Sequence, residues 1–124
     1  MPLDDPRHQF GLEGEKLAEK HLVRRGMKTL ARRFNTPVGE LDLVMLEGPT
    51  VVFVEVKTRA DRRLADPEDA VTRTKRRRLA KAMQWFLRAR KLEDRPCRFD
   101  VVSIVCAEGQ PPEVTHIEDA APLE

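Results

Sequence analysis

The sequence predicts an α/β fold of order αβββαβ, with helices packed around a mixed central sheet. Three observations predict it: an opening segment with helical spacing, two β-rich runs flanking a short turn, and a strand–helix–strand unit further on. At 124 residues the chain has the common size of one domain, taken here as 1–124 with 1–9 and about 107–124 peripheral. Apolar residues make up 40% and charged residues 35%, a globular balance and not a disordered one.

The first helix is expected from about Phe10 to Arg25, where Phe10, Gly14, Leu17, Ala18, His21 and Leu22 recur at three- and four-residue spacing. Gly26 follows two arginines as a natural C′ residue. Met27 to Phe34 reads as a strand, followed by a turn over Asn35 to Gly39. Glu40 to Leu46 and Val51 to Arg59 then flank Glu47-Gly48-Pro49-Thr50 as a hairpin with a four-residue connection. Val51 to Val54 is apolar on both faces, so the second run is expected to be a central strand.

Thr58 to Ala65 has alternating charges and no period, and is expected to be a mobile loop. Asp66-Pro67-Glu68-Asp69 reads as a helix start, with an N-cap Asp and Pro at N1. That helix is expected to reach about Lys91, with Ala70, Val71, Leu79, Ala82, Met83, Phe86 and Leu87 buried. Phe99 to Cys106 is a second buried strand, so the pair forms a right-handed βαβ unit with parallel strands. Glu113 to Ile117 is a candidate short edge strand.

The net charge of +2 says little about partners, but the basic residues are concentrated between Arg73 and Lys91. Cys97 and Cys106 are nine residues apart, which in a strand means opposite faces, so reduced thiols are expected. No signal peptide is visible in the first nine residues, and no run is long enough to span a bilayer. The expected compartment is the cytoplasm, with no membrane partner.

The hairpin carries the chemistry. With Leu46 opposite Val51, counting places Val44 opposite Phe53, Asp42 opposite Glu55 and Glu40 opposite Lys57, all on one face. Two facing carboxylates repel, and a shared proton, a cation or an adjacent lysine must offset that. Lys57 is two residues from Glu55 on the same face. Two carboxylates and a lysine at the carboxyl end of a buried strand suit Mg²⁺ and an activated water. Glu15 lies on the margin of the first helix's apolar face, and Lys75 falls on a row that should be buried. Each has a blander reading: E-x-K triplets are common by chance, Glu40 and Lys57 suit a cross-strand ion pair, Glu15 suits a surface, and Lys75 can snorkel. His8, His21 and His116 receive no role.

Arg73, Lys75, Arg76, Arg77, Arg78 and Lys81 crowd the first half of the second helix, with Arg59, Arg62 and Arg63 just before it. Such a run is often only a solvated face. Here it starts at the same end of the sheet as the carboxylates, where phosphate neutralisation is useful. With no tyrosine and one tryptophan, backbone contacts are expected to dominate over base stacking.

The chain resembles the YraN-like family of small bacterial proteins with a PD-(D/E)XK nuclease-like fold. The resemblance rests on Gly11-Leu12-Glu13-Gly14-Glu15 with Ala18, on Gly39-Glu40-Leu41-Asp42-Leu43, and on Val52-Phe53-Val54-Glu55-Val56-Lys57-Thr58-Arg59. Ala70-Val71 with Lys75, Arg98-Phe99-Asp100-Val101-Val102 and His116-Ile117-Glu118 extend it over nearly the whole chain. It implies a restriction-endonuclease-like core similar to archaeal Holliday-junction resolvases. It also implies Mg²⁺ or Mn²⁺ held by Asp42, Glu55 and the Val56 carbonyl, a water positioned by Lys57, and auxiliary roles for Glu15 and Lys75. The expected activity is DNA phosphodiester hydrolysis, with branched DNA among the substrates; the alternative is a non-catalytic nucleic-acid-binding protein that keeps the fold. Arg59, Arg73, Arg76, Arg77 and Lys81 are the expected backbone contacts, and a homodimer is compatible with all of this.

Overall fold

A computed structural model describes residues 6–60 and 73–120, with the side chains of 6–9 left aside. The elements are α1 (Pro6–Arg24), β1 (Lys28–Thr36), β2 (Gly39–Glu47), β3 (Thr50–Arg59), α2 (Arg73–Ala89), β4 (Cys97–Val105) and β5 (Glu113–Ile117). The expected helix start at Asp66, the arginines at 62 and 63, and most of the expected mobile loop lie outside the described residues.

One five-stranded sheet has the order β1-β2-β3-β4-β5, which makes β3 central as its two-sided apolar run requires. β1, β2 and β3 form an antiparallel meander, β3 and β4 pair in parallel, and β5 closes the other edge antiparallel to β4. The helices cover opposite faces. Ala18 and Leu22 of α1 pack on Leu43, Met45, Val52, Val54, Val102 and Ile104. Ala82, Met83 and Phe86 of α2 pack on Leu41, Val44, Val51, Phe53 and Phe99. Two helix layers on a mixed sheet give the three-layer α/β core that the element order predicts. Cys97 packs with the α2 layer and Cys106 with the α1 layer, on opposite faces of the sheet.

Local chemistry explains the boundaries. α1 ends where the Met27 amide donates to the Leu22 carbonyl (3.1 Å) and the Gly26 amide to Val23 (3.0 Å), with Gly26 at φ +97°. This is a Schellman cap, and its left-handed residue favours glycine. The β2–β3 strands run further than the turn residues suggested, pairing Glu47 with Thr50 and leaving only Gly48-Pro49 between them. Gly48 at φ +55° supplies the positive angle that such a two-residue turn needs at its first central position. At the β1–β2 turn the Thr36 hydroxyl accepts from the Val38 and Gly39 amides and donates to the Gly39 carbonyl.

A cleft at the carboxyl end of the central strand

β3 leaves the core after Val54, and the alternation of its side chains then divides by face. Val56 packs towards α1, while Glu55 and Lys57 line a cleft of about 330 Å³ on the α2 side. The other walls are Val38, Gly39 and Glu40 from the β1–β2 hairpin, and Lys75, Arg78, Leu79 and Ala82 from α2. The crossover from β3 to β4 therefore places the start of α2 over the carboxyl ends of the parallel pair, where α/β sheets bind ligands. Lys75 is exposed and lines the cleft, so it is not buried on the apolar row where its spacing put it.

Asp42 departs from simple cross-strand pairing. The register holds from Glu47 opposite Thr50 to Leu43 opposite Val54, with Val44 opposite Phe53 as counted from the sequence. At the next step the Asp42 side chain intervenes: its Oδ2 accepts from the Val56 amide at 3.0 Å. Leu41 packs in the α2 layer together with Val44, while Leu43 between them packs in the α1 layer. Strict alternation would put Leu41 and Leu43 on one face, so the alternation breaks at Asp42, although the register of β2 with β1 runs on unbroken, Arg32 opposite Leu43 and Phe34 opposite Leu41. Asp42 shares a small adjoining recess of about 60 Å³ with Glu40 and Glu55. Burial pushes its carboxyl up to about 6; the Val56 amide pulls the other way, and Glu15, Glu55 and Glu40 add to the rise.

Glu15 reaches this region from α1. A β-carbon at Gly14 would overlap Thr58 Oγ1 and stand 3.0 Å from Thr58 Cβ, so glycine lets α1 approach the end of β3 closely. Glu15 Oε2 accepts from Arg33 Nε at 2.8 Å. Arg33 has φ +46°, an uncommon angle for a residue with a side chain. It lies in β1 between Arg32 and Phe34, which stand opposite Leu43 and Leu41 on either side of Asp42.

The structure thus brings Glu55, Lys57 and Lys75 to one cleft, with Asp42 at an adjoining recess and Glu15 near enough to be felt by Asp42. Arg73, Arg76, Arg77 and Lys81 are exposed along α2 but do not line the cleft, and Arg59 ends β3. Arg78 was counted in the basic run of α2 but not singled out as a site residue, and Arg33, whose pairing with Glu15 depends on where α1 packs, went unnoticed. Among the described residues no three His, Cys, Asp or Glu side chains converge as a metal cage.

A polar network on the α1 face was also missed. Asp100 is fully buried, and its carboxylate accepts from Arg98 Nε (3.0 Å) and the Asp119 amide (3.0 Å). Arg98 Nη1 also donates to Glu47 Oε1 at 2.6 Å. Arg25 Nη1 lies 3.1 Å from His116 Nδ1. A guanidinium only donates, so Nδ1 accepts, and His116 Nε2 donates to Asp100 Oδ2 at 2.7 Å. Burial pushes the Asp100 carboxyl up, but Arg98, the Asp119 amide and His116 together outweigh it and hold it below the ordinary range. The sequence signal was an aspartate inside the apolar run FDVVSIVC, which demands buried partners.

A family model described as "Uncharacterised protein family UPF0102" matches residues 14–104. The chain belongs to the UPF0102 family. A UPF0102 protein of Pseudomonas paraeruginosa is 42% identical over 112 residues, covering 89% of this chain and 90% of its own length. Those of Geobacter metallireducens (44% over 115 residues; 92% and 93% covered) and Nitratidesulfovibrio vulgaris (43% over 119 residues; 96% and 88% covered) are similar to it over comparable spans. Every residue of the cleft and of the Asp42 recess lies inside the UPF0102 match, whereas β5 and His116 lie beyond it. No helix among the described residues is long and apolar enough to cross a membrane.

Proposed function

We propose that this UPF0102 protein is a metal-dependent DNA endonuclease of the PD-(D/E)XK type. The observation that carries the reading is the gathering of Glu55 and Lys57 at the carboxyl end of the central strand, beside the Asp42 recess and beneath a basic helix.

The donor set fits Mg²⁺ or Mn²⁺. Asp42 and Glu55 offer hard carboxylate oxygens, and Mg²⁺ is commonly held by one or two carboxylates with water and phosphate completing the shell. The carboxyl of Asp42, raised by burial and further by three neighbouring acids, marks a place where added positive charge is favourable. Asp42 Oδ2 is occupied by the Val56 amide, so Oδ1 is the oxygen left for a cation. Asp42, Glu55 and the Val56 carbonyl would hold the ion, which when bound supplies Lewis acidity and a water of lowered pKa. Lys57, two residues along the same face, orients the attacking water and balances charge on the phosphate. Lys75 and Arg78 on the opposite wall neutralise phosphate oxygens, and the exposed arginines of α2 hold the flanking backbone. Glu15, tethered by Arg33, adds negative charge behind Asp42.

The exposed basic residues of α2 also suit a second reading, a non-catalytic DNA-binding protein that keeps the fold. A cleavage assay with Mg²⁺ and with Mn²⁺ on duplex, flap, single-stranded and four-way-junction DNA separates the two. Metal-dependent cleavage abolished by Glu55→Gln is the expected result; binding without cleavage of any substrate leaves the second reading.

A further inference from the structure

Trp85 is the chain's one tryptophan, and it lies on α2 with 39% of its surface exposed. Exposed aromatics that stand singly are ordinary; the setting of this one is not. Its ring packs against Phe34 of β1 at 5.9 Å between centroids and 48° between planes. Phe34 is itself fixed by an edge contact to the buried Phe86 at 4.9 Å, with the Arg90 guanidinium 5.4 Å from its centre. The indole is therefore backed by a rigid aromatic support while keeping a large part of its surface in solvent.

Helical spacing places Trp85 seven residues after Arg78, a cleft-lining residue, and four after Lys81, so the three share one flank of the helix. At 1.5 Å per residue, Trp85 is about 10 Å along the axis from Arg78 and about 15 Å from Lys75. That is the length of roughly three to four stacked nucleotides. The β1–β2 hairpin forms the common wall, supplying Phe34 under the indole and Val38, Gly39 and Glu40 in the cleft. A cleft with cationic groups, a basic flank leading away from it, and a supported aromatic at the end are the parts of a single-strand track.

We infer that Trp85 is a stacking platform for an unpaired base, and that the DNA taken by this cleft carries a single-stranded segment running along α2 from Lys75 and Arg78 to the indole. The inference rests on the nuclease reading for the cleft but names a substrate class that the cleft alone does not. In an intact duplex each base face is covered by its neighbours, so a surface indole meets base faces only where the strand is unpaired. Stacking of this kind is indifferent to sequence, because every base has a π-face.

The single tryptophan makes the test direct. In EDTA, with oligo-dT and, separately, with relaxed closed-circular duplex DNA, indole emission is measured for wild type and affinity for wild type, Trp85→Phe and Trp85→Ala. Expected are strong quenching of wild type by oligo-dT, near-normal oligo-dT affinity in Trp85→Phe, and a loss of about ten- to hundred-fold in Trp85→Ala. Duplex affinity should stay within about two-fold throughout. Trp85→Ala that binds oligo-dT like wild type, or that loses duplex and oligo-dT binding equally, overturns the platform while leaving the nuclease reading standing. Failure of wild type to bind either DNA at low salt overturns the nuclease reading itself, and the platform with it.

Discussion

The Val56 amide donates to the Asp42 carboxylate at 3.0 Å, so a side chain takes the next rung of the β2–β3 ladder. One oxygen of a half-buried acid is thereby committed to structure, while burial and then its neighbours Glu15, Glu55 and Glu40 oppose its ionisation. The same residue is a structural acceptor and a carboxyl whose charged form the fold disfavours.

That arrangement sets a pH dependence. The Asp42 carboxyl is raised from 3.8 to about 6 in the fold, so the protonated form is favoured and its stabilisation is fully present only below the ordinary aspartate range. It is lost as pH rises through about 6. Asp42→Asn keeps an acceptor for the Val56 amide and removes the charge. In the absence of divalent ions it should be more stable than wild type at pH 7.5 by about 2 kcal/mol, with the gain fading towards pH 4. Urea denaturation at both pH values checks this, and an equal difference at the two would refute the assignment.

Asp100 has the opposite sign. Its carboxyl is held down, so its contribution is present above the ordinary aspartate range and is lost as pH falls through its lowered value. Asp100→Ala leaves Arg98 without its buried partner and should cost about 3–5 kcal/mol at pH 7. A loss below 1 kcal/mol in denaturant melts would show that the network with His116 and Glu47 is not a tie between β4, β5 and the β2–β3 turn.

Much of this architecture was legible. The register of Val44 with Phe53 and Leu46 with Val51 followed from two-residue alternation, since a slip there would expose a whole apolar face. The β5 span matched its short run of Glu113 to Ile117. Asp42 was singled out in the sequence but placed in simple cross-strand pairing with Glu55, because a break in side-chain alternation leaves no mark in composition. Beyond the neighbouring Arg98, the partners of Asp100 come from β5 and the segment after it, and no local pattern points to residues so distant in the chain. Arg33 falls in the same class: its backbone angle and its pairing with Glu15 both depend on tertiary placement of α1.

The close approach of α1 to β3 rests on Gly14. Gly14→Ala would gain up to about 1 kcal/mol in helix propensity, but its β-carbon overlaps the Thr58 side chain. Overpacking costs about 1–3 kcal/mol and should win, giving a net loss. In a Thr58→Ala background the penalty should shrink. A Gly14→Ala protein that melts higher than wild type would show that α1 is free to retreat.

DNA binding should depend on salt through the exposed arginines of α2. Replacing Arg73, Arg76 and Arg77 together should flatten the slope of log affinity against log salt by about one per lost phosphate contact. An unchanged slope would mark these three as a solvated face only.

The central claim is a divalent-metal site at Asp42 and Glu55, and melting temperature with and without millimolar Mn²⁺ or Mg²⁺ tests it most directly. Ligand that binds only the folded state raises stability by about 1.4 kcal/mol at tenfold excess over Kd. Wild type should melt higher with metal, Asp42→Asn and Glu55→Gln should lose that shift, and Lys57→Ala should keep it. A wild-type protein indifferent to metal, with and without DNA present, and weakened alike by all three substitutions, would mean that the hairpin acids and Lys57 are an ion-pair network and nothing more.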